Sequence, residues 1–174
     1  MKKESKLKWI ITVLLLSFGL SILMSLGSDL VIPKINIYFG ILIILVFIII
    51  SIIFDMIGVA ITAAEERPFH SMASKKVKGA SHSVRFLKNS DKLASICNDV
   101  IGDVCGVVSG SAGVLVANTL ADMLNKDVTI VVLITTAVIA SLTITGKAIG
   151  KSIAIKNSEN ITFRVGKVVS FFKK

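Results

Sequence analysis

Four apolar stretches, residues 9–26, 37–64, 94–121 and 128–145, each approach or exceed the roughly 20 residues an α-helix needs to cross about 30 Å of hydrocarbon. Inside hydrocarbon every backbone N–H and C=O has to find its partner within the segment, so runs of this kind fold as helices. The expected class is an all-α integral membrane protein with four hydrophobic spans, and an apolar content of 53% agrees with it. The third stretch, ASICNDVIGDVCGVVSGSAGVLVANTLA, is the unusual one. A charge near the middle of a membrane helix costs about 2.5–3.5 kcal/mol on insertion scales, so Asp99 and Asp103 require a partner or a role. Standing four residues apart, they project from nearly the same side of a helix, with Asn98 beside them. Gly102, Gly106 and Gly110 also recur at four-residue steps, and Gly113 and Ala117 continue the small face. Such a stripe lets another helix approach closely where lipid supplies no hydrophobic drive for association.

The net charge of +9 points to a membrane surface rather than to nucleic acid. With a cytoplasmic N-terminus, four crossings place residues 1–8, 65–93 and 146–174 inside, and every Lys and Arg except Lys34 and Lys126 falls in those segments. This positive-inside bias implies a multi-pass protein of the plasma membrane with both termini cytoplasmic, in contact with anionic lipid headgroups on that face. Nucleic-acid binding is disfavoured because the chain has neither a soluble basic domain nor an aromatic stacking platform. An enzyme is also disfavoured: there is no Ser/His/Asp set, HExxH, P-loop or metal-thiolate pattern, and no cofactor is implied. Cys97 and Cys105 lie eight residues apart on one helix, too far along its axis to bridge. His70 and His82 have no cysteines at ligand spacing, which argues against zinc.

Residues 1–36 read as an N-terminal membrane anchor, or alternatively a signal peptide, followed by an external link with Pro33 and Asn36 as turn formers. The second stretch opens with a β-branched run suited to facing lipid, and Asp55 interrupts it near the inner end. That carboxylate either snorkels to the headgroups or belongs to a site. In residues 65–93, Phe69, Ala73, Val77, Ala80, Val84 and Leu87 recur at helical steps, while Lys75, Lys76, Lys78, His82, Arg85 and Lys88 fill the other positions. The pattern is that of a basic amphipathic helix on the cytoplasmic side, with a solvated basic linker as the alternative, since Gly79 weakens a helix. Thr135, Thr136, Ser141, Thr143 and Thr145 offer hydroxyls to backbone or to a neighbouring helix. Residues 146–174 hold a second basic amphipathic element, capped at Asn157 or Ser158, with Ile161, Val165, Val168 and Phe172 on one side and Arg164, Lys167, Lys173 and Lys174 on the other. Lys147 arrives at the depth of Asp55, Asp99 and Asp103.

FDMIGVAITAAEERPFHSMA, the basic connection after it, ASICNDVIGDV and TGKAIGKSIAIKNSENITF together resemble the transmembrane domain of the CNNM/CorC (CorB-like) magnesium and cobalt transporters, over roughly residues 40–172. The resemblance implies a three-helix transmembrane domain in residues 37–174, with juxtamembrane helices in 65–93 and 146–174, behind the N-terminal anchor. Longer members carry a CBS pair and a C-terminal regulatory domain, which are expected to be missing here, and with them control by ATP. In the family, a Ser-Gly-Ser-Glu run, a Gly-Asn-Asn run and a Gly-Glu-x-x-Pro-Lys run surround a dehydrated Mg²⁺ in a homodimer. On this chain Asp55 stands at the first serine, Ile57 at the second and Gly58 at the glutamate. Asn98 matches the asparagine and Asp99 its polar neighbour. Gly146 and Lys151 match the third run, but Lys147 replaces its glutamate and Gly150 its proline.

Two functions follow from the resemblance. In the first, Asp55, Asn98, Asp99 and Asp103 form a metal site through which Mg²⁺ or Co²⁺ moves, because Mg²⁺ takes oxygen ligands. In the second, the chain is a non-transporting relative, a dimerising or partner-binding membrane protein in which Lys147 is the counter-ion of the Asp cluster and Gly102, Gly106, Gly110 and Gly113 pack helices.

Overall fold

The computed structural model describes residues 3–31 and 36–172. Among these residues all regular structure is helical: α1 (Lys3–Val31), α2 (Ile37–Ala63), α3 (Glu66–Ser74), α4 (Ala80–Leu87), α5 (Ser90–Ser95), a π-helical stretch (Ile96–Gly102), α6 (Asp103–Leu124), α7 (Val128–Lys156) and α8 (Ser158–Phe172). Pro33, Lys34, Lys173 and Lys174 lie outside the described residues. Four helical runs are long and apolar enough to cross a bilayer, namely Leu7–Ser28, Ile37–Ala63, Ser90–Leu124 and Val128–Lys156. The all-α membrane class therefore holds.

Local chemistry sets the helix ends. Asn36 caps α2, its side chain accepting a hydrogen bond from the Tyr38 amide at 3.2 Å. Asp127 caps α7 by accepting from the amides of Thr129 and Ile130 at 2.8 and 3.2 Å. Asn125, in the left-handed region at φ 50°, closes α6. The fourth apolar run does not end at residue 145 as expected. The helix itself continues unbroken to Lys156, with Gly146 and Gly150 packed close to Ile52 and Met56 of α2.

The core lies where α2, α6 and α7 meet, around Ile44, Ile48, Ala112, Val116 and Ile139. The first half of α2 is thus not simply lipid-facing. A stripe of Gly40, Ile44, Ile48, Ser51, Asp55 and Gly58 is buried along it, at three- and four-residue steps. On its other sides Phe39, Leu42, Leu45 and Ile49 are exposed, as are Leu133, Ile134, Val138 and Leu142 of α7. An apolar surface this extensive is the kind a membrane covers. Two threonines of α7 bond within their own helix: Thr136 donates to the Val132 carbonyl and Thr143 to that of Ile139, both at 2.8 Å.

The basic connection is two helices rather than one. Lys76 at φ 55° and Gly79 at φ 95° break it between α3 and α4. The break lets α4 turn onto α8, where Gly79 meets the backbone of Lys167 and the Ser83 hydroxyl donates to the Thr162 carbonyl at 3.2 Å. Phe69, Ala80, Ser83 and Leu87 are buried as a result, while Val77, in the break, is exposed.

Gly79 is constrained twice, by its left-handed backbone and by Lys167, whose Cα would lie 2.7 Å from a Cβ placed there. Gly79→Ala is expected to lower stability by about 2 kcal/mol or more. Gly106→Ala, with nothing within 4 Å of the new methyl, should leave the melting temperature unchanged or slightly raised. Thermal unfolding of both variants in detergent checks the contrast.

Candidate cation site where α2 meets the π-helical stretch

Asp55, Asp103 and Lys147 share one depth. At 1.5 Å per residue each lies roughly 27–32 Å from the far end of its own helix, about one hydrocarbon thickness. Charged groups at that level sit at the edge of the apolar layer, where they can be compensated from the basic end of the molecule.

The site is built on one face of α2. Ser51, Asp55 and Gly58 follow at steps of four and three, and the first and last of them touch the π-helical stretch. The Ser51 hydroxyl donates to the Gly102 carbonyl at 2.5 Å. A Cβ on Gly58 would collide with the Asn98 side-chain oxygen, so only glycine admits that amide. In the π-helical stretch the backbone bonds reach one residue further than in an α-helix, as from the Asp103 amide to the Asn98 carbonyl. Widened turns of this kind recur at functional sites.

Two oxygens on these elements make no hydrogen bond, although Oδ2 of Asp55 has Lys151 Nζ at 3.9 Å. Oδ2 of Asp55 and Oδ1 of Asn98 are buried and accept no hydrogen bond, and Asp55 as a residue is only 4% exposed. A buried acceptor left in this state costs about 1–3 kcal/mol, more when charged. Such atoms call for a partner. A carboxylate and an amide oxygen are hard donors, and Mg²⁺ characteristically takes one or two carboxylates while keeping several of its waters. The donor types present are those a hard divalent cation takes.

Asp55, Asn98, Asp99 and Asp103 are not gathered at one point. Among the described residues no three acidic, histidine or cysteine side chains stand close enough to share a metal ion. Asp99 is exposed. Asp103, its side chain 65% exposed, accepts from Lys147 Nζ at 2.9 Å, while the Lys147 side chain is 18% exposed. Lys147 thus compensates Asp103, and a different residue approaches Asp55: Lys151, whose Nζ lies 3.9 Å from Oδ2. Lys151 is one turn beyond Lys147, and that four-residue spacing was its signal in the sequence. Ser51, one turn before Asp55, carried the same kind of signal.

The glycine stripe also divides. Gly102 lies against Ser51 and Lys147, and a Cβ on Gly113 would collide with Ile139. Gly106 and Gly110 instead line an open groove of about 470 Å³ shared with Asp103, Thr136, Ala140 and Thr143.

A family model described as the cyclin M (CNNM) transmembrane N-terminal domain matches residues 42–174. The chain belongs to the CNNM family. No curated protein and no solved structure gave a significant match. The matched CNNM region contains every residue of the candidate site, from Ser51 on α2 to Lys151 on α7, and begins beyond α1.

The Lys147–Asp103 pair of this CNNM domain is uncovered by the chain on its carboxylate side, at the edge of the apolar layer, so its coupling is expected to be about 1 kcal/mol or less. Lys147→Met and Asp103→Asn should each lower the melting temperature slightly, and the double variant should be no worse than either alone. A double-mutant cycle by thermal unfolding measures this directly.

Proposed function

We propose that this CNNM-family membrane protein binds a divalent cation of the Mg²⁺ or Co²⁺ class at Asp55 and Asn98 and passes it across the membrane. The observation that carries the reading is two buried oxygens without hydrogen bonds, Oδ2 of Asp55 on α2 and Oδ1 of Asn98 in the π-helical stretch that packs on it. The carboxylate of Asp55 supplies the charge and the amide of Asn98 a neutral oxygen, with waters completing the shell. Asp103 contributes to the local field but is already matched by Lys147. Asp99 is exposed and is not among the ligands in this reading. In this reading the basic end of the molecule, toward which the site lies, faces the cytoplasm at the plasma membrane, against anionic headgroups; the positive-inside bias of the sequence supports it. The homodimer belongs to this reading as an implication of the family resemblance. No enzymatic step and no resident cofactor enters it.

A second reading is favoured by the 2.9 Å contact between Lys147 and Asp103. A lysine where family members carry a glutamate supplies a fixed positive charge, and a chain so compensated serves as a non-transporting membrane partner.

Flux of Mg²⁺ and Co²⁺ into proteoliposomes separates the two. Under the transport reading Asp55→Asn and Asn98→Ala each reduce flux at least about tenfold, the scale of losing a ligand or its immediate support, while Asp99→Asn has little effect. Absence of flux in the unmodified protein, across both ions, supports the second reading.

A further inference from the structure

We propose that Lys151 is a tethered counter-charge for Asp55, competing with the divalent cation and setting how tightly the cation is held. The proposal rests on the cation site just described and concerns its regulation.

Asp55 is 4% exposed, and its Oδ2 accepts no hydrogen bond. A buried carboxylate needs a compensating positive charge at all times. Lys151 Nζ, at 3.9 Å, is near enough to act on that charge but too far for a hydrogen bond. Its side chain is 53% exposed. The ammonium group therefore sits at the end of a flexible four-carbon stem, with a path to water that requires no backbone movement.

Lys147, one turn earlier on the same helix, behaves differently. It is largely covered and hydrogen-bonded to Asp103 at 2.9 Å. α7 thus carries one fixed lysine, hooked to α6, and one loosely held lysine facing α2. The register that brings the loose one to Asp55 comes from glycine. A Cβ on Gly150 would lie 2.8 Å from Met56 Cγ, and one on Gly146 would collide with Ile52, so both positions keep the α7 backbone close to α2 beside Asp55.

Exchange follows from like-charge repulsion. A divalent cation entering at Asp55 repels the ammonium group, which swings toward water. When the cation leaves, Lys151 returns, and Asp55 is compensated in both states. Removing the lysine leaves the carboxylate dependent on the cation alone.

The test is thermal unfolding of the purified full-length chain in detergent, titrated with MgCl₂ at constant ionic strength. Lys151→Gln is expected to melt lower than the unmodified protein without Mg²⁺, to recover when Mg²⁺ is added, and to reach half its stabilisation at an Mg²⁺ concentration about tenfold lower, as expected when a competing unit charge near 4 Å is removed. Lys151→Arg should retain the original Mg²⁺ dependence. Lys151→Met, which keeps the apolar stem, serves if the glutamine variant fails to fold. In an Asp55→Asn background the lysine substitution should change nothing. An unchanged half-effect concentration in Lys151→Gln, with Asp55→Asn abolishing the response, overturns the role of Lys151 and leaves the cation site standing. An Asp55→Asn variant that still responds like the unmodified chain overturns the site and the proposal together, as does a lack of Mg²⁺ response in all variants. A response present only once Lys151 is removed supports the competition in its strongest form.

Discussion

The burial of Asp55 is the constraint to which the basic end of this protein is fitted. A carboxylate withdrawn from water near the edge of a hydrocarbon layer must be met by positive charge and by donors, or the fold cannot keep it there. Near Asp55 the chain brings Lys151 from α7, to 3.9 Å, while Ser51 one turn earlier ties α2 to the Gly102 carbonyl of the π-helical stretch. These contacts require α2 to touch the π-helical stretch and α7 at a single level.

Those contacts are close because small residues permit them. Gly58 leaves room for Asn98, Gly146 and Gly150 seat α7 on α2, and Gly79 and Gly166 let α4 cross α8. Lipid gives little drive for helix association, so backbone approach and polar contacts take over that role within the bilayer. Glycine is used differently at Gly106 and Gly110, where the helix surface stays open along the groove shared with α7.

The split between Asp103 and Asp55 changes how the family relationship translates into chemistry. Lys147 adds a positive charge at the level of Asp55 and Asp103. Here the Lys147 charge is engaged by Asp103 at 2.9 Å, and the unpartnered oxygens lie on Asp55 and Asn98 instead. Lys147 is thus locally matched by an acidic neighbour on α6, while Asp55 and Asn98 keep buried oxygens without hydrogen bonds.

Much of this was legible in the residues alone. The four apolar runs force helices because the backbone has no other partner in hydrocarbon, and the cost of burying charge marks Asp55, Asn98, Asp99, Asp103 and Lys147 as positions that need an explanation. Helical spacing also showed which residues share a side. It could not show which side of one helix meets which side of another, because crossing register is settled by the summed contacts of many small and branched side chains. Only the tertiary structure therefore separated Asp99 from Asn98, gave Lys147 to Asp103 and Lys151 to Asp55, opened the π-helical turn, and divided the glycine stripe into packed and open halves. The sequence by itself determined a helical membrane protein with uncompensated charge at one level; the packing of α2 against the π-helical stretch and α7 decided which charges compensate each other, since electrostatic pairing acts over a few ångströms and those distances exist only once the helices are in register.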